Sequence, residues 1–418
     1  MPLLDVKDLY VHYKVKQGWV YACDGVTTHL ERGETLGLVG ESACGKTTLG
    51  YSISQLLPNN AFVRHGHVFF QEPEDVRVYR EKLEAWAERK IRSQAMKAEA
   101  SGAMDRARAV QKLLDGQRDR LEKDLAALEG ATGPEADRKR AALSSQLAGL
   151  THAYDLVARS MSIDGRLREY GPAIRSIRWK EISMVFQGAM NAFNPVYTVG
   201  AQIIEAIQQH ADMDDEEAEA RVKELFQLVG VPADRIYNYP HEYSGGMRQR
   251  AMIAMALALN PSLVIADEPT TALDVITQHR ILDQIREIQK RLSMSMMIIT
   301  HDISVVAKTA RRINVMYAGR MAEQGTTKQV FQETAHPYTA GLLASFPAVT
   351  GAKRRLASIP GNPPSLVSPP TGCRFHPRCP YAKDICRRID PPPIRVGDGH
   401  VSHCHFAEEL AGGLRWVV

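Results

Sequence analysis

Eight consecutive residues, Gly40-Glu41-Ser42-Ala43-Cys44-Gly45-Lys46-Thr47, follow the apolar run Thr35 to Val39 and match the spacing GxxxxGK[ST] at every fixed position. That pattern is suited to holding phosphate. Glycines let backbone N–H groups close around phosphate oxygens, and Lys46 adds a point charge. Thr47 offers a hydroxyl to Mg²⁺, and with Thr48 it opens a helix whose positive end faces the anion. A strand before the loop and a helix through about Leu57, stopped at Pro58, supply the context this chemistry needs. The stretch predicts a nucleotide site.

Further residues extend that chemistry. Ser244-Gly245-Gly246 opens a helix running to about Asn260, offering backbone N–H groups and a hydroxyl as a second anion cradle. Taken alone it is equally an ordinary N-cap turn. The short apolar strand Leu263-Val264-Ile265-Ala266 ends in Asp267 and Glu268. Asp267 is placed to share Mg²⁺ with Thr47, and Glu268 to orient or deprotonate a water. His301 caps the next strand, Met296 to Thr300, within reach of a terminal phosphate. Gln187 ends the buried-strand pattern Ile182 to Phe186. Among the aromatics Tyr13, Trp19 and Tyr21, Tyr13 is favoured as the platform for a base, although strand aromatics commonly pack only on neighbours.

These residues need a scaffold of alternating strands and helices. Residues 3–15 and 20–30 read as paired strands, 199–230 as helical, and 274–292 as a helix. With 418 residues and a net charge of +4, the chain has room for two or three domains and no strong pull toward nucleic acid. It has no run of 18 apolar residues and no basic and apolar leader, so a cytosolic protein is expected. Between about Glu72 and Ser162 the composition turns to Ala, Arg, Glu and Leu. Leucines at 114, 121, 125, 128, 143, 147 and 150 flank Gly133-Pro134, which predicts an inserted antiparallel helical hairpin. It reads as a docking arm or, equally, as a tolerated surface insertion.

Cys373, Cys379, Cys386 and Cys404 crowd the last fifty residues among prolines. Four thiolates could take Zn²⁺ or an iron–sulfur cluster, and zinc ligands are usually paired more closely. A tail with few core residues would gain stability from such a metal. Cys23 and Cys44 stand apart and read as incidental.

In order, Gly40 to Thr47, Gln187, Ser244 to Gly246, Asp267-Glu268, Asp274 and His301 resemble the Walker A loop, Q-loop, signature, Walker B pair, D-loop and switch histidine of ABC transporter ATPases. Narrower likeness lies in Tyr239-Pro240-His241, Ala266 to Val275, His336-Pro337-Tyr338-Thr339, and the tail from Ile359-Pro360-Gly361 to Cys404. These resemble the oligopeptide, dipeptide and nickel importer branch. Three features depart from it: Ala43 in place of Gly, Tyr243 in place of Leu, and the arm.

The resemblance implies an α/β P-loop fold: a RecA-like core, an antiparallel β subdomain, and a helical subdomain over about 188–260. Its cassette would span 1–335, interrupted at 72–162, with a small cysteine-containing domain over 336–418. It implies ATP and Mg²⁺ held by Gly40, Glu41, Ser42, Ala43, Cys44, Gly45, Lys46, Thr47, Thr48, Tyr13, Gln187 and Asp267. Glu268 would be the general base and His301 the phosphate sensor, while Ser244, Gly245, Gly246 and Asp274 would act across a head-to-tail dimer. The likeness also implies a [4Fe–4S] cluster on the four tail cysteines. It implies two membrane permeases, a sister ATPase, an extracytoplasmic solute-binding protein acting indirectly, and a place on the cytoplasmic face of the membrane. Cargo would be a peptide, with nickel or another small solute as the alternative. An ATPase of DNA maintenance is the rival from another class.

Overall fold

The computed structural model describes residues 2–71, 178–188, 192–270, 275–345 and 358–412, with 119–120, 123–127 and positions 133, 136, 414 and 416. Apart from those few positions, the hairpin expected over 72–162 lies outside the described residues, and so does Asp274.

The chain opens with β1 (Pro2–Val15), β2 (Gly18–Glu31), β3 (Thr35–Val39), α1 (Lys46–Ser54) and β4 (Ala61–Phe70). Strand β1 pairs antiparallel with β2 on one side and β4 on the other, forming a three-stranded sheet. Its buried face carries Leu4, Val6, Leu9 and Val11 against Leu36, Leu38 and Leu49. The helix after the phosphate loop stops at Ser54, three residues earlier than expected, because Gln55 adopts a left-handed conformation.

The chain re-enters the fold at β5 (Ile182–Val185). Next come helices α2 (Val199–Gln208), α3 (Asp215–Leu228) and α4 (Gly245–Ala256), then β6 (Leu263–Asp267), α5 (Val275–Leu292), β7 (Ser295–Thr300), α6 (Ile303–Thr309), β8 (Arg312–Tyr317) and β9 (Arg320–Thr326). The region expected to be helical over 199–230 is two helices, because Asp214 starts α3 anew. Its carboxylate accepts from Glu217 N while Glu217 reaches back to its backbone. The two roots of the insertion are tied together. Gln71 Nε2 donates to Glu181 Oε2 at 2.9 Å and to Ser262 Oγ at 3.0 Å.

Helices α7 (Thr327–Gln332) and α8 (Pro337–Ala344) lead into the tail, which holds α9 (Asp384–Arg388), β10 (Ile394–Gly397), β11 (His400–Ser402) and α10 (Ala407–Leu410). The second sheet runs β10-β11-β9-β8-β3-β7-β6-β5. Its five strands from β8 to β5 are parallel, and the other three alternate antiparallel. Strands β3, β5, β6 and β7 are buried at every position, as a parallel sheet covered on both faces requires. Tail strand β11 pairs with β9, Val401 opposite Gln324, so the tail prolongs the central sheet.

The tail corrects the metal expectation. Cys373, Cys379, Cys386 and Cys404 line one small cavity with Pro337, Phe375, Tyr381 and Phe406. Yet among the described residues no group of three or more His, Cys, Asp or Glu side chains is arranged to hold a metal ion. Neither the [4Fe–4S] cluster nor the zinc alternative is supported. The tail has other means of support. Besides the β11–β9 pairing, Arg374 is buried against Asp24 at 2.5 Å. Phe375 packs on Tyr317 and Tyr338 at centroid distances of 5.2 and 5.4 Å.

Candidate active site

The phosphate loop joins β3 to α1, and two of its glycines are dictated by close approach. A Cβ at Gly40 would lie 2.2 Å from Met316 O, and one at Gly45 1.9 Å from Ala22 O. Gly45 also sits at φ +103°, a region that L side chains rarely adopt. Ala43 is left-handed as well, at φ 63°. Lys46 is buried, and its Nζ donates to Gly40 O at 2.8 Å and Glu41 O at 2.9 Å. The loop is thereby curled around its own lysine.

Around it opens a cleft of about 620 Å³. Glu41 to Thr48 form its floor, Tyr13, Val20 and Ala22 one wall, and Gln187 and Glu268 another. Tyr13 reaches the floor directly, its hydroxyl 3.1 Å from Thr48 Oγ1. Trp19 instead packs edge-on to Phe62 beneath Arg64, and Tyr21 packs on His12, so Tyr13 is the member of that trio lining the cleft.

Glu268 follows β6 in a left-handed conformation, φ 46°, fixed by its N–H donating to Ile299 O on β7 at 2.8 Å. This turns its carboxylate between two partners. Gln187 Nε2 donates to Oε2 at 3.0 Å, and His301 Nδ1 lies 2.9 Å from Oε1. Three residues separated by as much as 114 positions in sequence thus meet at one carboxylate, because β5, β6 and β7 end side by side.

Asp267 is fully buried, and neither of its oxygens has a hydrogen-bond partner. Burial raises its pKa, and the neighbouring Thr47 hydroxyl tempers the rise. An orphaned buried carboxylate beside a loop hydroxyl is a donor set that fits Mg²⁺.

Ser244, Gly245 and Gly246 are not among the residues lining this cleft. Ser244 is exposed and caps α4, accepting from Met247 N at 3.2 Å.

Three contributions to the cleft were missed by sequence reasoning. Arg378, 6% exposed, grips both carboxylate oxygens of Glu41 at 2.7 and 3.0 Å. Tyr338, fully buried on α8, accepts a hydrogen bond from Glu41 N at 2.9 Å. Residues 363–367 of the tail also line the cleft. The segments carrying Tyr338 and the tail stood out in the sequence as resemblance, but nothing local in them pointed to the phosphate loop.

A family model described as ABC transporter matches residues 23–162 and 143–271. The chain is 36% identical over 412 residues to the dipeptide transport ATP-binding protein DppD of Bacillus subtilis, covering 98% of this chain and 96% of that protein. It is 36% identical over 402 residues to the oligopeptide transport ATP-binding protein OppD of the same organism, covering 95% and 87%. A putative peptide import ATP-binding protein of Brucella abortus is 48% identical over 247 residues, covering 57% of this chain and 73% of that protein. The mixed sheet, its flanking helices and the phosphate-loop cleft are therefore an ABC cassette, and the chain is an ATP hydrolase of that class. A second family model, described as oligopeptide/dipeptide transporter, C-terminal region, matches residues 322–386. Within the ABC class, the chain belongs to the oligopeptide/dipeptide transporter ATP-binding proteins.

Proposed function

We propose that this chain hydrolyses ATP to drive the import of di- and oligopeptides through a membrane ABC transporter. The observation that carries the chemical part is the convergence of Lys46, Thr47, Gln187 and Glu268 on one cleft, with the orphaned Asp267 beneath it. Loop amides and Lys46 hold the β- and γ-phosphates in this reading, with Gly40, Glu41, Ser42, Ala43, Cys44, Gly45 and Thr48 shaping the cradle. Tyr13 carries the base. Thr47, Asp267 and Gln187 would hold Mg²⁺, which supplies charge neutralisation at the phosphates.

Glu268 takes the proton from the attacking water. Gln187 and His301, already hydrogen-bonded to its two oxygens, aim the carboxylate, and His301 reports the terminal phosphate. Positioning and preorganised charge are the main requirements of phosphoryl transfer. Ser244, Gly245 and Gly246, outside the cleft of their own chain, fit a role in the site of a second ATPase subunit, and the resemblance gives Asp274, which lies outside the described residues, a part in the same role.

Domains follow the same reading: a cassette over 1–335 with a helical subdomain over about 188–260 and the 72–162 insertion, then a C-terminal unit over 336–418. No helix among the described residues is long and apolar enough to cross a membrane. From the transport names of its relatives we place the chain on the cytoplasmic face, bound to two permeases and a sister ATPase, with a solute-binding protein outside. Phe186, immediately before Gln187, is 36% exposed, and Val196 and Tyr197, just before α2, are 68% and 59% exposed; they offer apolar surface to a permease. The transport names of relatives matched over nearly the whole chain favour this reading over DNA maintenance.

The test is isolation of the tagged chain from its own membranes and reconstitution of the recovered complex in liposomes. ATP-dependent uptake of a labelled dipeptide or oligopeptide is expected. Recovery with DNA, or a complex that moves no peptide, would overturn the transport reading.

A further inference from the structure

Five of the residues that line the nucleotide cleft, Pro363 to Val367, come from the tail more than 300 positions beyond the phosphate loop. Two observations show that this segment is a built wall. Tyr21 N on β2 donates to Leu366 O at 2.9 Å, between Val20 and Ala22, which themselves line the cleft. Just upstream, Arg378 donates through Nε and Nη2 to Ile359 O, Pro360 O and Gly361 O at 3.3, 2.9 and 3.2 Å, and through Nη1 and Nη2 to Glu41 of the phosphate loop. One buried guanidinium therefore sets the tail strap and the loop in a common frame.

We infer that Pro363 to Val367 form the wall against which the base and ribose of the nucleotide pack, with Leu366 as a positioning residue. This rests on the reading of the cleft as the ATP site. Phosphates belong at the Lys46–Thr47 floor, and Leu366 is fastened to β2 between the cleft-lining Val20 and Ala22, on the strand paired with the one that carries Tyr13. Two prolines, a leucine and a valine present apolar surface of fixed backbone shape, suited to the face of a purine. The family region that binds this strap is thus part of the nucleotide site of its own chain, in addition to any contact it makes elsewhere.

Calorimetric titration of the full-length protein with the Mg²⁺ complexes of a non-hydrolysable ATP analogue and of inorganic tripolyphosphate separates the wall from the floor. Leu366→Asp is expected to weaken the analogue about five-fold or more, with tripolyphosphate unchanged. Leu366→Ala, a milder change that keeps the strap apolar, is expected to show the same selective loss to a smaller degree. Unchanged analogue binding in both variants would overturn the inference. So would equal weakening of both ligands, which would mean that the loop itself had been disturbed. Wild-type protein that binds neither ligand would instead overturn the nucleotide reading of the cleft.

Discussion

Glu41 is held from three directions, and each contact acts on the loop that must grip phosphate. Its N–H is bound by the Tyr338 hydroxyl, its carboxylate by Arg378, and its carbonyl by Lys46. Tyr338→Phe keeps the ring packing against Tyr317 and Phe375 but leaves the Glu41 N–H without its acceptor. A loss of about 1–3 kcal/mol in unfolding free energy is expected, measured by urea titration, and ATP affinity should fall with it. Unaltered stability would show that water replaces the hydroxyl at no cost. The loop pattern, the Asp267-Glu268 pair and His301 were legible because each is fixed by spacing within a few residues of a strand end. The Glu41–Arg378 pair spans 337 positions, so no local signal in the sequence marks it.

At the scale of elements, the tail is held by its fit to the cassette. Asp24 on β2 receives Arg374 and Arg320 from the C-terminal side, and His12 lies 3.5 Å away. Burial alone would raise the Asp24 pKa, but the nearby His12 ring, hydrogen bonds from Arg320 and the Arg374 charge carry it down to about 2. Removing the buried guanidinium with Arg374→Ala leaves a carboxylate short of its partner, and about 3–5 kcal/mol of destabilisation is expected in a denaturant melt. A shift near zero would mean that Arg320 compensates fully. Cysteine spacing misled here because it counts candidate ligands, and among the described residues no group of such side chains is arranged to hold a metal ion. The sheet itself was partly legible: β3, β5, β6 and β7 stand out as apolar runs. Their order, and the addition of β10 and β11 beside β9, depend on long-range pairing. The break between α2 and α3 was hidden because Asp214 caps a helix within a short, mostly polar connection that has no Gly or Pro.

For the whole molecule, stability depends on pH through buried histidines. Burial lowers the His336 pKa to about 3 and the His403 pKa to about 4, from an ordinary value of 6.5. His336 Nδ1 also accepts from Tyr338 N at 3.0 Å, which requires an unprotonated nitrogen there. As pH falls below 6.5 the unfolded chain takes up protons that the folded chain refuses, so stability is full above about pH 7 and drops as the medium acidifies. Between pH 7 and pH 5 the two histidines together should cost about 4 kcal/mol, read from urea midpoints across that range. Constant midpoints would mean that the folded chain accepts both protons. The same burial that makes this tail sensitive to acid lets its aromatic residues and arginines join it to the cassette.

The most direct test of the catalytic account compares Mg²⁺-dependent phosphate release by the assembled wild-type complex with that of the Glu268→Gln variant, alongside ATP binding by each. With Glu268 as general base, turnover should fall by about 10²–10⁴-fold while ATP affinity stays within a few-fold, since Lys46 and the loop amides are untouched. Turnover near the wild-type rate, with ATP still bound, would contradict the account and place the proton acceptor elsewhere in the cleft.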